Sequence, residues 1–159
     1  ANLDTDLRIT FTLSTPLLFA GMVAPSLEAL TPERRHRFLR YADLYKRFIR
    51  PLLPTCRMYH HGPATSRGGV ASSGFLAVEY ASPEGDQGWA TIVRIGETES
   101  DTYLFRPRGL HRRKTFRVTF DSTGETATVD GWPLVNAGVA VSLPALFSSE
   151  LLLFQAVQL

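Results

Sequence analysis

The residue types in this chain that could support chemistry are a histidine pair, His60 and His61, a spread of carboxylates, two tryptophans and one thiol, Cys56. Adjacent histidines on a strand point to opposite faces and cannot jointly hold one metal ion. His36 and His111 are distant, and no cysteine-histidine spacing accompanies them, so no metal site is expected. One cysteine forms no internal disulfide, and with no basic activator in view Cys56 reads as a small buried residue at a strand start. Glu79, Glu84, Asp86, Glu97, Glu99 and Asp101 fall mostly in or beside turns, where solvation is their usual role. No spacing nominates a carboxylate pair for general acid and base work, so no catalytic residue is expected. Gly109 and the pair Gly68-Gly69 lack the context of phosphate loops, so no cofactor is expected either. The basic run Arg106, Arg108, Arg112, Arg113 and Lys114 reads as a solvated turn. Trp89 lies in an apolar run and reads as core. Trp132, between Gly131 and Pro133 in a turn, is the candidate for stacking on a sugar face.

The elements that must position these residues begin with the helix from Thr31 to Pro51. Thr31 is a good N-cap, Pro32 suits the first helical position, Glu33 sits in the first turn, and Pro51 is expected to end the helix with Arg50 extended. Phe38, Tyr41, Ala42, Tyr45, Phe48 and Ile49 form one apolar stripe. Arg34, Arg37, Arg40, Lys46 and Arg47 make the solvated outer face, with Asp43 and Arg47 spaced for an i,i+4 pair. No aromatic residues interleave with them, so no nucleic-acid partner is expected. Upstream, Leu7 to Leu13 alternates as a half-buried strand, and a loop from Ser14 to Ala29 follows. After Pro54 short alternating runs recur about every ten residues, the pattern of an antiparallel β-sandwich. Eight strands are expected: Cys56 to His60, Phe75 to Tyr80, Trp89 to Ile95, Thr102 to Arg106, Thr115 to Phe120, Thr126 to Val129, Val139 to Leu143 and Glu150 to Val157. Ser82 to Gly88 reads as a hairpin connection, and Tyr59 to Gly74 as a mobile surface loop.

Composition bounds the function classes. A chain of 159 residues with 44% hydrophobic and 20% charged residues can bury a core as one or two domains. A net charge of +2 is too small to imply a polyanionic partner by itself. No apolar run is long enough to cross a bilayer, and the start lacks a signal-peptide pattern, so a soluble, cytoplasmic protein with no membrane partner is expected. A chain that opens without Met, straight into a strand pattern, reads as a fragment.

Four segments in this order carry a resemblance: LYKRFIRPLLPTCRMYHHGP from Leu44, FLAVEYASPEGDQGWATIVRI from Phe75, YLFRPRGLHRRKTFRVTF from Tyr103 and DGWPLVNAGVAVSL from Asp130. Together they resemble the C-terminal end of glycoside hydrolase family 36 enzymes, the α-galactosidase-like group. The resemblance implies a mainly β fold: one strand and one long helix that finish a (β/α)8 barrel over residues 1–53, then a C-terminal antiparallel β-sandwich over residues 54–159. It implies an accessory module that braces the catalytic barrel of a retaining glycosidase, whose two catalytic aspartates lie upstream and match no residue here. A retaining enzyme needs two carboxyl groups about 5 to 5.5 Å apart across the sugar, and nothing in this chain nominates them. By barrel geometry the loop after the last strand, with Ser14, Thr15, Gly21 and Met22, would lie nearest the substrate. The expected partners are the upstream barrel and carbohydrate. The alternative is a non-catalytic carbohydrate-binding module acting through Trp132. A lone strand leaves an open edge, so self-association through Leu7, Ile9 and Phe11, or packing of this segment on the chain's own sandwich, is expected of the isolated fragment.

Overall fold

The computed structural model describes residues 3–8, 11–12, 31–61 and 74–157. Helix α1 spans Leu3–Arg8. Helix α2 runs over Pro32–Leu44, widens into a π-helical stretch at Tyr45–Ile49 and closes with a last turn at Arg50–Leu52. Its start follows the expected chemistry: the Thr31 hydroxyl accepts from the Arg34 amide at 3.4 Å and Pro32 leads the first turn. The Asp43 to Arg47 pair forms at 2.8 Å on an exposed face.

Two expectations about this region need correction. Pro51 does not end the helix, and Arg50 is helical (φ −53°, ψ −41°), not extended. The Arg50 amide bonds to Tyr45 O, five residues back, and this wider turn makes room for a proline ring that would strike the Arg47 carbonyl in a regular α-helix. The strand expected over Leu7 to Leu13 is also absent from the described residues. Leu3–Arg8 is helical, and the Thr12 hydroxyl donates to Arg8 O, a helical four-residue reach. Leu7 and Phe11 are four apart as well as alternating, and Asp4 and Asp6 in the first turn with Arg8 in the last complement the helix dipole. Both side chains are buried, in a cluster with Tyr41 and Ala42 of α2. The self-association expected through Leu7, Ile9 and Phe11 would require this packing to open. Ile9, Leu13, Ser14, Thr15, Gly21 and Met22 lie outside the described residues, as does most of the expected loop before Gly74.

All eight expected strands are present: β1 (Arg57–His61), β2 (Phe75–Ala81), β3 (Gln87–Arg94), β4 (Thr102–Phe105), β5 (Thr115–Phe120), β6 (Thr126–Asp130), β7 (Val139–Ser142) and β8 (Ser149–Ala156). A six-stranded antiparallel sheet has the order β1-β2-β3-β8-β5-β6, and β4 pairs with β7 in a second, small sheet. Helix α3 (Gly131–Asn136) joins β6 to β7, where a simple turn was expected around Trp132.

The central strands are covered on both faces. Register places Ala90, Ile92, Leu152 and Phe154 on one face, where they meet Phe105, Val141 and Leu134 from β4, β7 and α3. Trp89 and Leu151 face the other way and pack against Ile49 of α2. The sandwich therefore has a helical layer on one side of the large sheet and the small sheet with α3 on the other. Arg94, buried at the end of β3, ties the small-sheet side down by donating to Asp101 at 2.5 Å and to the carbonyls of Leu143 and Pro144 at 3.0 Å.

Ile49 should be the helix residue on which this packing turns. Ile49→Ala is expected to lower stability by about 2 to 4 kcal/mol through the cavity it leaves, read as a fall in the urea midpoint at unchanged slope. Leu39→Ala, at a half-exposed site on the same helix, should change stability by less than about 0.5 kcal/mol.

Candidate functional site

A polar cleft of about 450 Å³ opens where α1, α2, the β5–β6 turn and the start of β8 converge. Asp121 lies at its base with a side chain only 5% exposed. One carboxylate oxygen accepts from Arg40, and the other accepts from Arg8 at 3.3 Å and from the Tyr41 hydroxyl at 3.0 Å. Arg8, equally buried, also donates to the carbonyl of Ser149 and at 3.2 Å to its hydroxyl. At the rim Arg37 bonds to Asp4 at 3.0 Å and to Glu33 at 2.9 Å. Burial pushes the Tyr41 hydroxyl well above the usual tyrosine range, so it stays a neutral donor. A carboxylate whose two oxygens are taken up by two guanidiniums and a phenol is not presented to a substrate. What the arrangement does is clamp both helices to the sheet.

Arg40, half-exposed on the face read from sequence as solvated, also reaches Asp121 and helps dock α2, while Arg37 pairs with Asp4 of α1 and Glu33 of its own helix. Asp121 was not legible as a candidate: before Ser122-Thr123-Gly124 it reads as an ordinary turn aspartate, and its burial comes from elements far away in sequence.

A second buried carboxylate corrects the expectation for Glu79. It is fully buried in β2, not solvated in a turn. Oε2 lies 2.6 Å from Nε2 of His61 and 2.9 Å from the Arg108 amide, and Oε1 lies 2.8 Å from the Gly109 amide. A Cβ on Gly109 would come within 2.5 Å of the Ala81 Cβ, so only glycine lets the backbone approach this closely. Glu79 therefore pins the base of the basic β4–β5 turn. Strand parity carried the signal, since Glu79 shares a side with Phe75, Ala77 and Ala81. Among the described residues no cluster of histidine, cysteine, aspartate or glutamate could hold a metal ion. His61 faces Glu79 while His60 is exposed, on opposite faces as expected. Cys56 is half-buried, and burial raises its thiol pKa.

Trp89 is buried, stacks on Tyr80 at 4.7 Å, and donates to the Thr12 carbonyl at 3.2 Å. Trp132 is 62% exposed on α3, with the Arg112 guanidinium 5.9 Å over its ring. Exposure makes it the aromatic candidate for ligand contact in the second layer. The substrate-proximal set Ser14, Thr15, Gly21 and Met22 falls outside the described residues.

Two measurements test the clamp. Asp121→Ala leaves two arginines facing an empty site and should cost about 3 to 5 kcal/mol, whereas Asp121→Asn, which keeps the shape and an acceptor, should cost less. The folded pKa of Tyr41 lies above its unfolded value of 10.0, so above that pH the unfolded chain loses its proton first and stability falls as pH rises. Up to about 1.4 kcal/mol per pH unit should come from Tyr41. Tyr41→Phe should flatten that alkaline slope while leaving the contributions of Tyr80 and Tyr103, also raised by burial, in place. Urea unfolding between pH 9 and 11 reads both.

No family model matches the chain, and no curated protein sequence matches it at significance. Solved structures do match in fold. An α-galactosidase from Lactobacillus brevis superposes on 84% of this chain over 18% of its own length, with a TM-score of 0.67 at 17% identity. The glycoside hydrolase family 36 α-galactosidase AgaB from Geobacillus stearothermophilus matches 82% of this chain over 17% of its own, with a TM-score of 0.63 at 20% identity. The galactosidase domain of an α-galactosidase-sucrose kinase matches 82% over 17%, with a TM-score of 0.62 at 17% identity. The chain spans under a fifth of each of these proteins and has the fold of one part of an α-galactosidase.

Proposed function

We propose that this chain is the C-terminal module of an α-galactosidase-like retaining glycoside hydrolase. In this reading α2 is the last helix of a catalytic barrel, residues 54–159 are the accessory sandwich, and the module braces the barrel without a catalytic residue of its own. The supporting observation is that a fit to under a fifth of such enzymes takes in more than four-fifths of this chain. The site chemistry agrees, because Asp121 and Glu79 are each consumed by internal hydrogen bonds. The helical α1 does not supply the barrel strand, so within residues 1–53 the reading rests on α2. Ser14, Thr15, Gly21 and Met22 belong to it as the loop nearest substrate, and a single free thiol fits a reducing, cytoplasmic setting.

An immunoblot of source cells with an antibody raised against this chain tests the reading. A band several times heavier than 17.7 kDa, in a protein that cleaves terminal α-galactosides with retention, is the expected outcome. A band near 17.7 kDa would overturn it.

The exposure of Trp132 favours a second reading, a module that binds carbohydrate. On that reading Trp132→Ala lowers affinity for a neutral α-galacto-oligosaccharide about tenfold without changing the melting temperature, a loss of about 1.4 kcal/mol by calorimetry. A pure brace shows no such loss.

A further inference from the structure

The buried carboxylates Asp121 and Glu79 are each held by internal hydrogen bonds, but the charges of the β4–β5 turn are not matched in this way. Arg106, Arg108, Arg112 and Arg113 are all exposed there, and none has a carboxylate partner within ion-pair distance among the described residues. Arg106 and Arg108 are anchored instead by neutral carbonyls, those of Asn136 at 3.1 Å and His60 at 3.2 Å. Of the carboxylates nearby, Asp130 accepts from the Thr115 hydroxyl at 2.7 Å and Asp86 lies 3.8 Å from Lys114, while Glu84 is exposed in the adjoining turn and forms no ion pair with these arginines.

This turn is held rigidly beside Trp132. The Gly131 amide donates to Lys114 O at 2.7 Å, and a Cβ on Gly131 would lie 2.5 Å from His111 O, so turn and helix meet backbone to backbone. Leu110 and Leu134 anchor the two pieces in the same core. Arg112 covers one face of the Trp132 ring, which leaves the rest of a largely exposed indole to solvent. The patch lies in the layer on the far side of the sheet from α2, so a partner docked on the helical face would leave it open.

We propose that Trp132, Arg112 and Arg113 form a binding site for an anionic saccharide, which rests on the carbohydrate-binding reading of Trp132. The C–H face of one sugar ring lies on the indole, and its carboxylate or sulfate is taken by the guanidiniums. Arginine suits this role because its planar fork matches both anions and sheds water more readily than an ammonium. The cation–π contact holds Arg112 over one face of the indole before ligand arrives. Nucleic acid is disfavoured, since the β4–β5 turn and α3 carry one exposed indole and no phenylalanine or tyrosine, and successive bases would need more stacking surface. An acidic peptide would use the arginines but would have no need of the indole.

Calorimetric titration of the full chain at about 0.15 M salt, where weak surface attraction is screened, decides among these. The probes are an oligogalacturonate, a sulfated galacto-oligosaccharide, a neutral α-galacto-oligosaccharide of equal length and polyglutamate. The expected result is binding of the carboxylated or the sulfated sugar at least about tenfold tighter than the neutral one. Trp132→Ala, and Arg112→Gln with Arg113→Gln, should each reduce that affinity about tenfold at unchanged melting temperature; comparing the two anionic sugars tells which group is read. Equal, Trp132-dependent binding of neutral and anionic sugars would overturn the anionic site and leave sugar binding standing. No binding of any sugar would overturn both. Polyglutamate binding as tight as the sugars and indifferent to Trp132→Ala would mean a charged surface only, and would overturn the proposal.

Discussion

The structure depends on a sheet whose central strands are apolar on both faces. In β3 and β8 consecutive residues such as Trp89 and Ala90, or Leu151 and Leu152, are all buried, so neither face can be left to water. At about 25 cal/mol per Å² of apolar surface, one exposed strand of this kind would forfeit several kcal/mol, a large share of a domain's net stability. Each face must therefore carry a layer. The small sheet with α3 covers one, and the two N-terminal helices cover the other.

The two layers are attached by different physics. On the small-sheet side an apolar core runs from Phe105 through Phe116 to Phe154, with the buried Arg94 and Glu79 making hydrogen bonds at its edges. The helical side combines apolar contact at Ile49 and Tyr41 with a polar cluster in which the buried Arg8, Tyr41 and Asp121 are joined by the half-exposed Arg40. Burying such a cluster is costly, and its net effect on stability can be small. What it does supply is direction: a hydrophobic stripe tolerates sliding, whereas an aspartate shared among two arginines and a phenol accepts one arrangement. The clamp fixes where α2 sits, and the apolar stripe keeps it there.

The legible parts of the fold were those specified locally. Every strand was readable because alternation and turn residues act within a few positions, as in Phe116, Val118 and Phe120 of β5. The α2 start was readable from Thr31 and Pro32 for the same reason. Expectations failed where two local patterns coexisted or where a distant contact decided. Leu7 and Phe11 satisfy both periods, and the acidic first turn that favours helix was outweighed by the alternation. Pro51 ends a regular helix but not one already widened by a five-residue turn. Strand parity turns Glu79 inward, but the partners that let a carboxylate sit there, His61 and two amides, come from the fold, and the burial of Asp121 depends on residues from three other elements. Trp132 was legible as exposed, but its cationic neighbour was not, since Arg112 reaches it only because the turn seats against Gly131.

Those two internal carboxylates divide the molecule into a part that assembles and a part left over. Asp121 holds the two helices onto the sheet. Glu79 is spent on holding the β4–β5 turn, and that turn shows no such internal purpose: its arginines reach neutral carbonyls, a ring and solvent. A buried carboxylate with three hydrogen bonds is a heavy investment for a solvated loop, because desolvating the charge must be offset by every one of those bonds. It makes physical sense if the shape of the turn matters. A turn fixed in shape, unneutralised in charge and seated beside an open indole is preorganised for a ligand, with the ordering of the site already complete before anything binds.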